Sequence, residues 1–184
     1  MNPNKRAVFL DRDGVIIRDV GYIRRFEDIE LLVDVAQALS MLRAAGFLRI
    51  IVTNQSAVAR GMITLDRMFE IEAEVERRLF ELGGSVDAAY LCPHHPTEGE
   101  APYRYACGSR KPEPGMLIRA ALEWGIDPRR SYMIGDSPRD TEAAARAGVT
   151  PLRVGGPVSG PANGIPHFDN LMEAARHIIS HTEN

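Results

Sequence analysis

Ala7-Val8-Phe9-Leu10-Asp11-Arg12-Asp13-Gly14 decides the fold: an apolar run ends abruptly on two carboxylates and a glycine. Such a short run has the length of a strand buried within a sheet. Comparable runs recur at Leu48–Val52, Ala88–Leu91, Ser131–Ile134 and Pro151–Val154. Patterns of helical period separate them. Val35, Leu39, Leu42 and Ala45 form one stripe, with Gly46 where a C-terminal cap belongs. Met68, Ile71, Val75, Leu79 and Leu82 form a second, from Thr64 as N-cap to Gly83 as stop. A third opens at Pro114 and ends at Gly125, a fourth follows Pro138 and ends near Gly148, and a fifth runs over Leu171–Ile179.

This alternation predicts an α/β fold: a doubly wound parallel sheet with helices on both faces. Right-handed crossovers put every strand's carboxyl end on one edge, where ligands bind in such folds. The polar motifs all follow strands, so they gather at that edge. With 184 residues, the chain is expected to form a single domain over residues 1–184, with no separate cap domain. Two connections break the rhythm: residues 11–34, and residues 92–114, which are rich in Pro, Gly, His and Tyr. Loops this long are usually functional or disordered. Residues 155–164 read as a solvated Gly/Pro turn region.

Composition is that of a soluble globular protein, at 45% hydrophobic and 26% charged residues with a net charge of -3. No run of one sign suggests a nucleic-acid or membrane partner. Neither a signal-peptide core nor a transmembrane stretch is visible, so the expected location is cytoplasmic. No exposed apolar stripe stands out, which makes a monomer the expectation.

Two carboxylates just beyond a buried strand are costly unless compensated. Magnesium compensates well, because it takes hard oxygen ligands and needs only one or two carboxylates. One Asp can then attack phosphorus while the other protonates the leaving oxygen. A pair of turn-forming Asp residues before Gly14 explains the fragment equally well. After the second strand, Thr53-Asn54-Gln55-Ser56 offers short polar groups suited to phosphate oxygens, or to a helix cap. In Arg110-Lys111-Pro112, Lys111 suits a transferring phosphoryl group and Arg110 a second anion; the plainer alternative is a solvated basic turn. Gly135-Asp136-Ser137-Pro138-Arg139-Asp140 puts Asp136 at a strand end within reach of a metal, with Asp140 bracing the loop, unless these residues merely cap the next helix. The ordered set says more than any member.

That set resembles the haloacid-dehalogenase-like phosphatases over essentially the whole chain. Within them the sequence is most similar to the D-glycero-D-manno-heptose 1,7-bisphosphate 7-phosphatases. Asp11-Arg12-Asp13-Gly14, Gly21-Tyr22, Thr53-Asn54-Gln55-Ser56 with Ala59-Arg60-Gly61, Cys92-Pro93-His94-His95-Pro96 and Arg110-Lys111-Pro112 carry the likeness. The resemblance implies a magnesium-dependent phosphatase with an aspartyl-phosphate intermediate. Asp11 would be nucleophile, Asp13 general acid and base, and Thr53 and Lys111 phosphoryl holders. Asp11, the Asp13 carbonyl and Asp136 would ligate magnesium. Asp19, Gly21, Tyr22, Asn54, Ser56 and Arg110 would lie near a small phosphorylated sugar. Nucleotide-heptose and lipopolysaccharide precursor synthesis is the implied setting. Ser137 stands where some relatives carry Lys.

The family's long loop also binds zinc through Cys-x-His and Cys-x-Cys, which implies a metal-binding loop over residues 92–109. Here Cys92, His94 and Cys107 are present, and Ser109 takes the fourth place. A closed structural zinc site needs four ligands. His95, water, Glu98 or Glu100 could complete it. The alternatives are a metal-free loop packed around Tyr103 and Tyr105, and a Cys92–Cys107 disulfide, which a reducing compartment disfavours. Two other functions fit the motifs less well: a histidinol-phosphate phosphatase, whose cysteine loop is usually shorter, and a non-catalytic binding module, which would not need both Asp11 and Asp13.

Overall fold

The computed structural model describes residues 4–156 and 164–182. Six parallel strands form one sheet in the order β3-β2-β1-β4-β5-β6. They are β1 (Arg6–Leu10), β2 (Phe47–Asn54), β3 (Ala88–Cys92), β4 (Tyr132–Gly135), β5 (Thr150–Val154) and β6 (His167–Phe168). The helices are α1 (Val35–Ala44), α2 (Leu65–Glu81), α3 (Gly115–Trp124), α4 (Pro138–Ala147) and α5 (Leu171–Thr182). The doubly wound α/β architecture matches the sequence expectation.

Side chains along β1 alternate between two cores, as the pleat requires. Val8 and Leu10 pack with Leu39 of α1, Val75 of α2 and Ile178 of α5. Ala7 and Phe9 pack with Leu117 of α3 and Ala144 of α4. Helices therefore cover both faces. The caps are the residues the sequence marks. Thr64 accepts from Arg67 N–H at 3.1 Å, and Gly125 and Gly148 end α3 and α4 in the left-handed region.

Three details differ from the sequence reading. Strand β2 extends to Asn54, so Thr53 and Asn54 belong to the strand rather than to the loop after it. Strand β6 has only two residues, too few for a period to reveal it. The irregular connection 11–34 is not merely a surface loop: Val15, Ile16, Ile17, Ile23 and Ile29 are buried against α1 and α2. Part of the predicted turn region, residues 157–163, lies outside the described residues. Among the described residues no helix is long and apolar enough to cross a membrane.

Candidate active site

Strand β1 delivers Asp11 to the carboxyl edge, where Asp11 N–H continues the ladder by donating to Ile134 O at 3.0 Å. The residue is 5% exposed. Oδ1 accepts from Arg12 N–H at 2.7 Å and faces Lys111 Nζ at 2.9 Å. Burial pushes the Asp11 carboxyl up to about 7, against the pull of Lys111.

Lys111 is fully buried between two acids, with Nζ 2.6 Å from Asp140 Oδ1 as well as 2.9 Å from Asp11. Burial works against its charge, but the two carboxylates more than offset it and hold the ammonium above its ordinary range. Asp140 sits in the first turn of α4, where Oδ2 accepts from Ser137 N–H at 3.1 Å and from its hydroxyl at 2.7 Å. Burial disfavours that carboxylate, yet Lys111 and the Ser137 donors keep its pKa low. The backbone of Lys111 is fixed separately by both ends of the Asn54 side-chain amide.

Asp13 lies two residues beyond Asp11 and is held from two sides. Arg12 Nη2 donates to its oxygens at 3.2 and 3.1 Å. Gln55 Nε2 donates to Asp13 Oδ2 at 2.8 Å and to Thr53 Oγ1 at 2.9 Å. One glutamine thus ties the proton-transfer candidate to the phosphoryl-holding candidate.

Asp11, Asp136 and Asp140 bring carboxylate oxygens within 4.8 Å of one another. Both Asp140 oxygens are already engaged by Lys111 and Ser137. Among the described residues no hydrogen-bond donor serves the Asp136 carboxylate, and burial raises its pKa. Asp11 and Asp136 therefore fit a hard divalent cation. Gly14 makes the approach possible. At φ +80°, a Cβ there would stand 2.1 Å from Asp136 Oδ2.

A cleft of about 350 Å³ opens above these groups. Asp11, Asp13, Asp19, Gly21, Tyr22, Thr53, Asn54, Ser56 and Arg110 all line it, so the predicted residues do converge. Asp19 shapes its own loop, since Oδ1 accepts from Gly21 N–H at 2.8 Å. Gln55, which the sequence offers only within a polar run, His95, offered only as a zinc ligand, and Arg60 and Arg139 also line the cleft. Arg60, Arg110 and Arg139 crowd together: burial, and then the neighbouring Arg139 and Arg60 charges, pull Arg110 down from its ordinary value despite the opposing influence of Cys92. Arg110 Nη1 donates to His94 O at 2.9 Å, and Arg60 packs on the Tyr22 ring. His95 Nδ1 accepts from Glu98 N–H at 2.9 Å, so the neutral ring carries its proton on Nε2. Arg60 is paired with Glu98, whereas among the described residues no acid forms an ion pair with Arg110 or Arg139, which leaves cations in the cleft to meet an anion. The sequence signal for Arg60 was its place in Ala59-Arg60-Gly61. Arg139 had none, because a residue in the first turn of a helix reads as solvent-facing.

Cys92, His94 and Cys107 form a second cluster, their ligand atoms within 4.8 Å of one another. Both cysteines are free thiols, not a disulfide. Ser109 meets the cluster through its backbone N–H, which donates to Cys107 Sγ at 3.4 Å. His95, Glu98 and Glu100 stand outside the trio. The His94 ring packs on Tyr105 and Tyr103, with centroids 4.4 and 5.9 Å away.

Residues 5–148 match the haloacid dehalogenase-like hydrolase family, and the chain belongs to it. It is a phosphatase of that family, a hydrolase of phosphoric monoesters. The chain is 36% identical over 176 residues to the D-glycero-beta-D-manno-heptose-1,7-bisphosphate 7-phosphatase of Haemophilus influenzae, covering 93% of this chain and 95% of that one. It is 41% identical over 154 residues to the enzyme of the same name from Rhodopseudomonas palustris, covering 84% of this chain and 86% of the relative. Among solved structures it is similar to the D,D-heptose 1,7-bisphosphate phosphatase of B. bronchiseptica complexed with magnesium and phosphate. There the TM-score is 0.81 at 31% identity, over 96% of this chain and 99% of that one.

Proposed function

We propose that the chain, acting as one domain over residues 1–184, removes the 7-phosphate of D-glycero-D-manno-heptose 1,7-bisphosphate in the synthesis of nucleotide-heptose precursors. The observation that carries this reading is the two-ended cleft. Its buried end holds Asp11 and Thr53 with Lys111 behind them, and its mouth holds Arg60, Arg110 and Arg139. A substrate with two phosphates matches both ends. The relatives named for this bisphosphate support the substrate, and the B. bronchiseptica enzyme solved with magnesium supports the cation.

Asp11 is the nucleophile in this reading. Its oxygen attacks phosphorus in line with the bond to the sugar oxygen. That bond breaks, its electron pair stays on the sugar oxygen, and the Asp13 carboxyl supplies the proton that makes the alcohol. Asp11 then carries the phosphoryl group as a mixed anhydride. Water attacks phosphorus, Asp13 takes the water's proton, and the bond to Asp11 breaks to release phosphate. Thr53 and Lys111 hold the phosphoryl oxygens throughout. Asp11, the Asp13 carbonyl and Asp136 would hold magnesium, which when bound offsets charge on the phosphoryl group. Asp19, Gly21, Tyr22 and Ser56 would face the sugar. Asn54, expected beside them, acts chiefly by fixing Lys111. Arg110, with Arg60 and Arg139, would take the second phosphate, and Arg139 supplies a cation near the place that Ser137 leaves uncharged.

Cys92, His94 and Cys107 would hold zinc with three protein ligands, more weakly than a four-ligand site. The protein would work as a cytoplasmic monomer with neither nucleic acid nor membrane as partner.

The test is phosphate release from both anomers of the heptose bisphosphate and from histidinol phosphate, with magnesium or EDTA, beside Asp11→Asn. Magnesium-dependent release from a heptose anomer, lost in the variant, is expected. Preference for histidinol phosphate would overturn the substrate but not the chemistry. Full activity in Asp11→Asn would overturn the nucleophile.

A further inference from the structure

The buried face of helix α2 carries one acid among Met68, Ile71, Val75 and Leu79. Glu72 is 4% exposed. Facing it is Arg12, the residue between the two active-site aspartates, 1% exposed. Arg12 Nη1 reaches Glu72 Oε2 at 3.3 Å, and Nη2 spans both Asp13 oxygens at 3.2 and 3.1 Å. Glu72 does not itself line the cleft.

Stability gives no reason for this arrangement. Desolvating a carboxylate and a guanidinium usually costs as much as their attraction returns, and apolar replacement of such pairs is often neutral or favourable. Geometry gives a reason. The guanidinium is a rigid planar fork, so anchoring one arm sets the plane in which the other arm lies. Glu72 anchors one arm, and the other then presents its N–H to Asp13. Because that arm spans both carboxyl oxygens, either oxygen can carry a proton while its partner still accepts. Gln55 Nε2 also donates to this carboxyl, at Oδ2, at 2.8 Å.

We propose that Glu72 is a positioning residue for phosphoryl transfer: through Arg12 it holds the Asp13 carboxyl where its proton passes to the leaving oxygen. The inference rests on the reading of Asp13 as proton donor. The step it supports is the first one. As the bond from phosphorus to the substrate oxygen breaks, the Asp13 proton passes to that oxygen and leaves with the alcohol, and in the second step Asp13 takes a new proton from the attacking water.

Leaving-group dependence separates this role from a purely structural one. An alcohol leaves poorly without a proton, whereas 4-nitrophenolate leaves without one. Glu72→Gln is expected to lower kcat/KM for a sugar phosphate by about tenfold or more while changing kcat/KM for 4-nitrophenyl phosphate by no more than about twofold. Asp13→Asn, measured beside it, should show the same split more strongly. A second variant, Arg12→Met with Glu72→Leu, leaves no unpaired buried charge and should remain folded if the first does not. It should show the same split, with a melting temperature near that of the parent. Equal losses on both substrates, or no loss on either, would overturn the role of Glu72. A missing split in Asp13→Asn would instead overturn the reading of Asp13 on which the inference stands.

Discussion

Asn54 and Lys111 hold each other by two opposed hydrogen bonds: Asn54 Nδ2 donates to Lys111 O at 2.9 Å, and Lys111 N–H donates to Asn54 Oδ1 at 3.0 Å. The end of β2 thereby sets the backbone from which Lys111 reaches Asp11. Asn54→Ala frees both backbone groups. It should cost about 1–3 kcal/mol of stability by denaturant titration, as expected for removing a partner from buried polar groups. Turnover should fall by about tenfold or more, since a displaced lysine no longer meets the phosphoryl group. Steady-state kinetics on the folded variant checks this.

Gly14 has no room for a side chain. A Cβ would meet Asp136 Oδ2 at 2.1 Å, and its φ of +80° already disfavours one. Gly14→Ala should displace Asp136 and weaken magnesium binding by about tenfold or more, as one hard ligand leaves the set. Isothermal titration with magnesium, on protein whose circular dichroism matches the parent, tests the point. Unchanged affinity would remove Asp136 from the cation site.

Asp11 is raised to about 7 in the cation-free chain, chiefly by burial. The cation takes the carboxylate, so protons compete with it. Protons win below the raised pKa, and the competition fades above it. Magnesium affinity should therefore fall by about tenfold between pH 8 and pH 6. Magnesium binding at pH 7 should release protons, seen as a binding enthalpy that changes with the ionisation enthalpy of the buffer. The same raised pKa has a sign for stability. Without metal, Asp11 destabilises the fold as pH rises from its unfolded value near 4 through about 7, and added magnesium should remove that loss.

The arginines at the mouth predict selectivity by charge number. Arg110→Ala should raise KM for a sugar bisphosphate by about 10- to 100-fold, the worth of one charged hydrogen bond. It should change KM for a sugar monophosphate far less. Equal effects on both would mean that Arg110 serves the transferring phosphate instead.

Thr64 caps α2 by accepting from Arg67 N–H and is not among the residues that line the cleft. Thr64→Ala should cost about 1 kcal/mol and lower the melting temperature by about 2–4 °C, with kcat unchanged.

Most of the fold was legible because its signals are local. Short apolar runs, Thr64, Gly125 and Gly148 each act within a few residues. Strand β6 escaped because two residues carry no period, and the burial of Ile16 and Ile17 escaped because irregular backbone has none either. In the site, Asp11, Asp13 and Lys111 could be placed because chain order puts each beyond its own strand. Arg12 and Glu72 could not be paired from sequence: sixty positions separate them, and each alone resembles a solvated charge. Arg139 lines the cleft because Pro138 starts α4 just beyond the strand edge, yet it stays exposed, so nothing in the sequence separates it from an ordinary solvated charge.

Asp140 receives the Ser137 donors at the start of α4 with one oxygen and the Lys111 ammonium with the other. Helix initiation and lysine placement thus share a single carboxyl group. Fraying of one turn, which costs far less than unfolding a domain, is enough to let Lys111 drift. The enzyme should go quiet on heating while its sheet is still intact, so loss of turnover should precede loss of circular dichroism and reverse on cooling.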